Sequence, residues 1–400
     1  MPLHPPRLSA GLRHLVGLGT LFALLTLAGC ATPPPPAITA DLPLAQAVGM
    51  ATDQTVRLLD EQRGLARYLS RSTRVYVAPV VDAGSRQQTV STVRVRELIA
   101  VHLKSQHRGI ELVPFTAAAA ARSELRLDTT LTAALLPDGR RATDRVRLDM
   151  RLVSLHDGRT LARSEASVVD AGMDGTPVNF FRESPFSLAS GEADASSTAG
   201  GTALSERDRT LPIARLDEAG AAYAAGSYDR ALDLYRSAAT LPGVDTMQAL
   251  VGTYLSAIRS GRDQEAQEAF ARIVALGLKT RVMGVKLLFA PGKTEFWPDP
   301  AISKFYPEWL REIARQAGDV PSCLQVVGHS SHSGAEDYNV LLSAQRADAV
   351  RQQLETANPA LVQRIEASGV GWRDNLVGTG SDDLKDAVDR RVEFKVVDCR

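Results

Sequence analysis

The chain reads as an α/β multidomain protein, with an N-terminal α/β domain, a short α-helical repeat region and a C-terminal βαβαββ domain. Three observations predict this. Apolar and polar residues alternate at period 2 through 125–135 and 146–152, the mark of half-buried strands. Gly226, Ala231 and Tyr235 recur 35 residues later as Gly261, Ala266 and Phe270. From residue 285 onward, short β-branched runs alternate with segments of helical periodicity.

Composition sets the outer bounds. Four hundred residues, 44% hydrophobic and 23% charged, leave room for two or three globular domains. Lys+Arg and Asp+Glu both number 46, so no basic excess marks nucleic acid or anionic lipid as the main partner. No Walker loop, dinucleotide fingerprint or well-spaced carboxylate pair is present, so the chain does not read as an enzyme and no cofactor is expected.

At the N-terminus, Arg7 and Arg13 precede an apolar run over 15–28 that ends in Leu27-Ala28-Gly29-Cys30. A charged start, short apolar core and small residues predict a secretory signal over 1–29. The last four residues resemble a bacterial lipobox. The resemblance implies acylation of Cys30, palmitate included, and several acyl chains anchor stably at about 0.8 kcal/mol per buried CH2. Ala31 stands where the retention signal would place Asp, which points to the outer membrane. The rest of 30–41 is Pro-rich and predicts a stiff spacer of about 3.1 Å per residue.

Residues 42–175 predict the first domain: strands over 74–79 and 110–115, a helix over 90–106, then the two alternating strands. The Asp157-Gly158 turn leads to a last strand over 161–169. The phrase Leu152-Val153-Ser154-Leu155-His156-Asp157-Gly158-Arg159 is similar to the α/β domain of curli-secretion and penicillin-binding-protein-activator lipoproteins. Ser, Ala and Gly within 176–209 predict a flexible linker. Over 210–280, Gly226 and Gly261 suit tight helix turns and Tyr235 and Phe270 fill the space between helices. Period and residue types resemble tetratricopeptide repeats, a spacer or a partner-binding surface.

The C-terminal domain, 283–400, predicts strands at 286–289 and 324–328, helices at 302–317 and 337–355, and a closing strand in Asp389-Arg390-Arg391-Val392-Glu393-Phe394-Lys395-Val396. In the second helix Asn339, Leu342, Ser343, Arg346, Ala347, Val350 and Leu354 fall on one stripe. Asn339, Ser343 and Arg346 lie toward its N-terminal end, where free N–H groups attract carboxylates. The pattern N-x2-L-S-x2-R-A-x2-V-x3-L, led in by Gly328-His329-Ser330, resembles the peptidoglycan-binding helix of OmpA/Pal-like domains. The opening loop Phe289-Ala290-Pro291-Gly292-Lys293-Thr294-Glu295-Phe296 and the closing strand resemble the same family.

That resemblance implies a mixed sheet and a ligand, the diaminopimelate side chain of the peptidoglycan stem, that carries both a carboxylate and an ammonium. Arg346 would take the carboxylate with its planar fork, helped by Asn339 and Ser343, and Arg390 or Arg391 would line the pocket, with Arg391 the residue chosen. The family's ammonium-binding aspartate falls at Ser331, which carries no charge. A charged hydrogen bond is worth about 1.5–3 kcal/mol against about 1 for a neutral one, so Ser331→Asp is expected to tighten binding unless Glu336 or Asp337 compensates. His329 and His332, two histidines on one loop without a Cys or carboxylate pair, do not make a metal site. The resemblance also implies that the last strand runs antiparallel beside 324–328, which pairs Cys323 with Cys399 in a disulfide.

The function expected is that of an outer-membrane lipoprotein facing the periplasm and binding peptidoglycan non-covalently. The alternative, favoured by Ser331, is an assembly scaffold for an envelope or secretion machine whose wall-binding domain is degenerate.

Overall fold

The computed structural model describes residues 38–63, 72–186, 204–383 and 385–399. Cys30, the signal segment and the proline run lie outside the described residues. Among the described residues no helix is long and apolar enough to cross a membrane.

The first domain is a mixed sheet. Its strands are β1 (Ile38–Leu42), β2 (Thr73–Val77), β3 (Val81–Asp82), β4 (Ile110–Leu112), β5 (Leu125–Leu135), β6 (Arg141–Ser154) and β7 (Thr160–Val169). Their order is β1-β7-β6-β5-β2-β4, with β3 also pairing β5. The period-2 alternation puts Leu127, Leu148 and Met150 on one face. Against that face pack α1 (Leu44–Arg63), through Leu44, Val48, Ala51 and Leu59, and α2 (Val90–Gln106), through Val95, Ile99 and Leu103. Two sequence expectations are corrected here. The spacer drawn to residue 41 ends earlier, because Ile38–Leu42 pairs with β7, and α1, whose apolar stripe repeats every three to four residues, was not anticipated.

The helical region comprises α5 (Glu206–Ala224), α6 (Tyr228–Ala238), α7 (Thr246–Arg259) and α8 (Asp263–Thr280); the short helix α3 (Ala117–Ala120) lies between β4 and β5, and α4 (Asn179–Glu183) lies between β7 and α5. Gly226 and Gly261 follow α5 and α7 with φ of +73° and +68°, a left-handed turn that favours glycine. Tyr235 and Phe270 are buried between the helices. Helix α5 also covers part of the second face of the first sheet, around Tyr76 and α3. There Arg96 forks onto Asp217 at 2.8 and 2.6 Å, and the Tyr76 hydroxyl donates to the same carboxylate at 3.0 Å.

The linker expected over 176–209 is corrected at both ends. Phe180, Phe181 and Phe186 are buried in the core of the helical region, and α5 begins at Glu206. These aromatic rings outweigh the small polar residues around them, since each large ring buried is worth several kcal/mol. Lys286 fixes the strap: it is buried, its Nζ donates to the Phe181 carbonyl at 2.5 Å, and burial pushes its pKa down to about 7.

The C-terminal sheet has β8 (Val282–Met283), β9 (Cys323–Gly328), β10 (Ile365–Gly369) and β11 (Val392–Val397), in the order β10-β9-β11-β8. β10 is parallel and β11 antiparallel to β9, a mixed sheet. The opening strand is Val282–Met283 rather than 286–289, which is tied instead by isolated bridges such as Phe289 to Phe296. The helix expected over 302–317 is split into α9 (Pro300–Ser303) and α10 (Tyr306–Asp319), with Pro307 in the first turn of α10. Helix α11 (Glu336–Ala357) buries Asn339, Leu342, Ser343, Arg346, Ala347, Val350 and Leu354, the stripe read from sequence.

The helical region and the C-terminal domain share one core. Trp309 stacks on Phe270 with centroids 5.6 Å apart, and its indole N–H donates to the Tyr254 hydroxyl at 2.8 Å. Residues 210–280 and 283–400 are therefore joined by packing, and are not separate domains on a string.

Cys323 and Cys399 are joined by a disulfide with Cα atoms 5.0 Å apart. The pairing of Val397 with Cys323 brings the two together. With the two cysteines 76 positions apart in sequence, the loop-entropy contribution is about 4 kcal/mol. Reduction should lower stability by up to that amount in urea titrations, and both cysteines should resist a thiol reagent in the denatured, unreduced protein. Labelling of both would show that the bond is not made.

Candidate functional site

The N-terminal end of α11, the loop after β9, the loop after β8 and the loop before β11 enclose a cavity of about 260 Å³. Gly292, Ser330, Ser331, Ser333, Gly334, Tyr338, Asn339, Leu342, Arg346, Asp382 and Arg390 line it. Of the residues expected at the site, Ser331, Asn339 and Arg346 are there.

Arg346 is 1% exposed. Its Nε donates to the Lys293 carbonyl at 2.9 Å and its Nη2 to the Ala290 carbonyl at 3.0 Å, while Nη1 lies 3.5 Å from the His329 carbonyl. The guanidinium carbon sits 5.1 Å from the centre of the Phe289 ring. These partners fix the fork but carry no full charge, and among the described residues no carboxylate pairs with Arg346. Burial, reinforced by the nearby Arg390, lowers its pKa to about 10. It remains a cation at neutral pH, desolvated and aimed into a cavity, an arrangement that an anionic ligand would stabilise.

Asn339 donates through Nδ2 to the carbonyls of Ser333 (2.5 Å) and Ala335 (3.0 Å), which ties the loop to the helix start. Ala335, at the N-cap, gives no side-chain cap, so the first-turn N–H groups are left for water or a ligand. Among the described residues the Ser330 hydroxyl, buried at the cavity, has no hydrogen-bond partner. Gly292 has a φ of +66°, so glycine is favoured there by backbone conformation.

The sequence reading missed Asp382. Its carboxylate accepts hydrogen bonds from the Ser331 hydroxyl and, at 2.6 Å, from the Ser333 hydroxyl; Arg390 Nη1 lies 3.3 Å away. Ser331 thus holds an acid that comes from 51 residues farther along the chain. The loop carrying it is braced from two sides. Asp389, buried and with its pKa pushed up to about 6 by burial, accepts from the backbone N–H groups of Leu376, Val377 and Gly378. Arg141 of the first domain donates its N–H to the Gly378 carbonyl at 2.8 Å.

Two expectations fail. Arg391 does not line the cavity: it pairs with Glu393 at 2.7 Å and donates to the Asp374 carbonyl at 3.1 Å. Arg390 lines it instead, since neighbours entering a strand point to opposite faces. Ser343 is fully buried behind the cavity, donating to the Val340 carbonyl and accepting from Gly371 N–H. The close packing there depends on two glycines: a Cβ on Gly369 would meet Ala344 N and Ser343 Oγ at 2.2 and 2.4 Å, and one on Gly328 would meet the Ser343 carbonyl oxygen. Glu336 pairs with Arg373 on the surface, and neither it nor Asp337 lines the cavity. His329 lies 3.6 Å from Glu393, whereas His332 stacks on Trp372 at 3.7 Å.

Residues 288–388 match the OmpA family. The peptidoglycan-associated lipoprotein of Pseudomonas aeruginosa is 31% identical over 107 residues, which cover 26% of this chain and 61% of that protein. Among solved structures, the peptidoglycan-associated lipoprotein from Burkholderia pseudomallei aligns at 22% identity over 28% of this chain and 87% of that one, with a TM-score of 0.24. The periplasmic domain of Helicobacter pylori MotB aligns at 17% identity over 30% and 74%, also with a TM-score of 0.24. The C-terminal part of this chain, residues 288–388, is an OmpA family domain homologous to the Pseudomonas lipoprotein.

Proposed function

We propose that this chain is an outer-membrane lipoprotein that tethers the envelope by binding the diaminopimelate side chain of peptidoglycan in the α11 cavity. The observation that carries the reading is one cavity lined by a buried, carboxylate-free arginine, Arg346, and by an acid, Asp382. A ligand end bearing both a carboxylate and an ammonium matches that pair. Arg346 offers the carboxylate its charge and the N–H groups not already donated to Lys293 and Ala290, and Asp382, oriented by Ser331 and Ser333, accepts from the ammonium. Homology to a lipoprotein named for its association with peptidoglycan supports the same ligand class. Ser331, the residue that favours the scaffold alternative, is bonded to Asp382, whose charge beside it supports the wall-binding reading.

Binding is non-covalent. The anchor reading rests on Leu27-Ala28-Gly29-Cys30. Cys30→Ser should release the protein from washed outer membranes while leaving it able to sediment with purified sacculi. A Cys30→Ser protein that stays wholly with salt-washed membranes would remove the lipid anchor from the account; one that no longer sediments with sacculi would remove the wall site.

A further inference from the structure

We propose that Asp53, His102 and His107 form a zinc site on the first domain, apart from the wall cavity. Asp53 lies on α1, His102 in the last turns of α2, and His107 is the residue that caps α2. His102 Nε2 and His107 Nε2 approach the same carboxylate oxygen, Asp53 Oδ1, at 2.6 and 2.8 Å. Three potential ligand atoms from two helices thus converge within 4.8 Å of one another. The rings are tilted by 55° with centroids 5.7 Å apart, so both edges face one point without stacking.

The surroundings suit this convergence. Gly49 stands one turn before Asp53 on α1, and a Cβ there would come within 3.2 Å of His102 Cε1. The absence of a side chain lets the imidazole lie close against α1 beside the carboxylate. Asp53 and the two imidazoles are reachable, at 55%, 25% and 19% side-chain exposure.

Two imidazole nitrogens and one carboxylate oxygen suit Zn2+ rather than calcium or magnesium, which take oxygen ligands. Three protein ligands leave a tetrahedral ion one open position, here toward solvent. Bonds of about 2.0–2.1 Å place tetrahedral ligand atoms roughly 3.3 Å apart. Each Asp53–imidazole contact must therefore open by about half an ångström, which rotation of the exposed Asp53 side chain provides. Each imidazole binds through Nε2 with its proton on Nδ1, so zinc replaces the hydrogen bonds now linking the three groups. The ion would fasten the middle of α1 to the end of α2, stabilising the helix layer that covers the first sheet.

The test uses the untagged full-length chain in detergent, freed of metal with a chelator and titrated with ZnCl2 by calorimetry. One saturable site of micromolar or tighter dissociation constant is expected. Saturation should raise the melting temperature of the first domain by about 5 °C. Asp53→Asn, an exposed change that keeps the fold, should weaken binding at least tenfold, and His102→Gln/His107→Gln should abolish it. Co2+ in place of zinc should show the visible absorption of a tetrahedral nitrogen–oxygen site, lost in the same variants. The proposal is overturned if the wild-type chain takes up no zinc, or if Asp53→Asn and the double histidine variant bind as tightly as wild type. Either result would leave the trio a hydrogen-bonded staple between two helices.

Discussion

Arg346→Ala should lower affinity for peptidoglycan by roughly 30-fold or more. Truncating one partner of a buried, charge-assisted pair costs about 2–5 kcal/mol, and Arg346 is the guanidinium facing the cavity that has no carboxylate of its own. The same change strands the carbonyls of Ala290 and Lys293, which now accept from Nε and Nη2, so some stability is lost as well. Arg346→Lys separates the two effects: it keeps a charge but loses the planar fork, and binding should still fall about tenfold. Asp382→Asn should cost about tenfold with the fold intact, since the residue is partly exposed and its amide can still meet the Ser331 and Ser333 hydroxyls. Ser331→Asp reverses an expectation from sequence. With Asp382 already at that hydroxyl, a second carboxylate there repels the first, and binding should weaken rather than tighten. Co-sedimentation with isolated sacculi reads all four variants. Wild-type binding by both Arg346→Ala and Asp382→Asn would place the ligand elsewhere.

Trp309→Ala should destabilise the protein by about 3–5 kcal/mol, the usual cost of emptying a large aromatic site. Trp309 is 4% exposed, stacks on Phe270, sits 5.0 Å from Tyr306 between ring centroids, and gives the buried Tyr254 hydroxyl its N–H. Because these partners lie on both sides of the boundary at residue 283, the loss should appear in the helical region and the C-terminal domain together. A urea titration followed by far-UV circular dichroism should show one transition for both, moved to lower denaturant in the variant. A transition unchanged for α5–α8 would mean that the helices fold without the C-terminal sheet. By the same reasoning a fragment cut at 283 exposes Trp309 and Met283 to water, so binding is best measured on the intact chain.

The C-terminal domain was legible because its information is local. The seven-residue stripe of α11 is a periodicity within 16 consecutive positions, and each of the seven is buried. The α/β domain showed its long strands for the same reason, through period-2 alternation. Asp382 was not legible, because the acid and the serine that holds it are 51 positions apart and meet only once the loop before β11 has folded over. One trace existed: Asp382-Asp383 is an acidic pair in a Gly- and Ser-rich loop just before Arg390-Arg391. Choosing between Arg390 and Arg391 required the phase of β11, set by Val392 pairing with Gly328. The strap over 179–186 was hidden by its composition. Phe180, Phe181 and Phe186 were the contrary signal, three large rings that a solvated linker has no use for.

In the proposed function Arg346 and Asp382 together recognise a side-chain end bearing one carboxylate and one ammonium. The most direct measurement is calorimetric titration of the intact chain with two soluble stem peptides, one carrying diaminopimelate and one carrying lysine at the same position. They differ by a single carboxylate, the group assigned to Arg346. The account predicts saturable binding of the diaminopimelate peptide, at least tenfold weaker binding of the lysine peptide, and loss of that preference in Arg346→Ala. Equal affinity for the two peptides, or no binding of either by the wild-type chain, would contradict it.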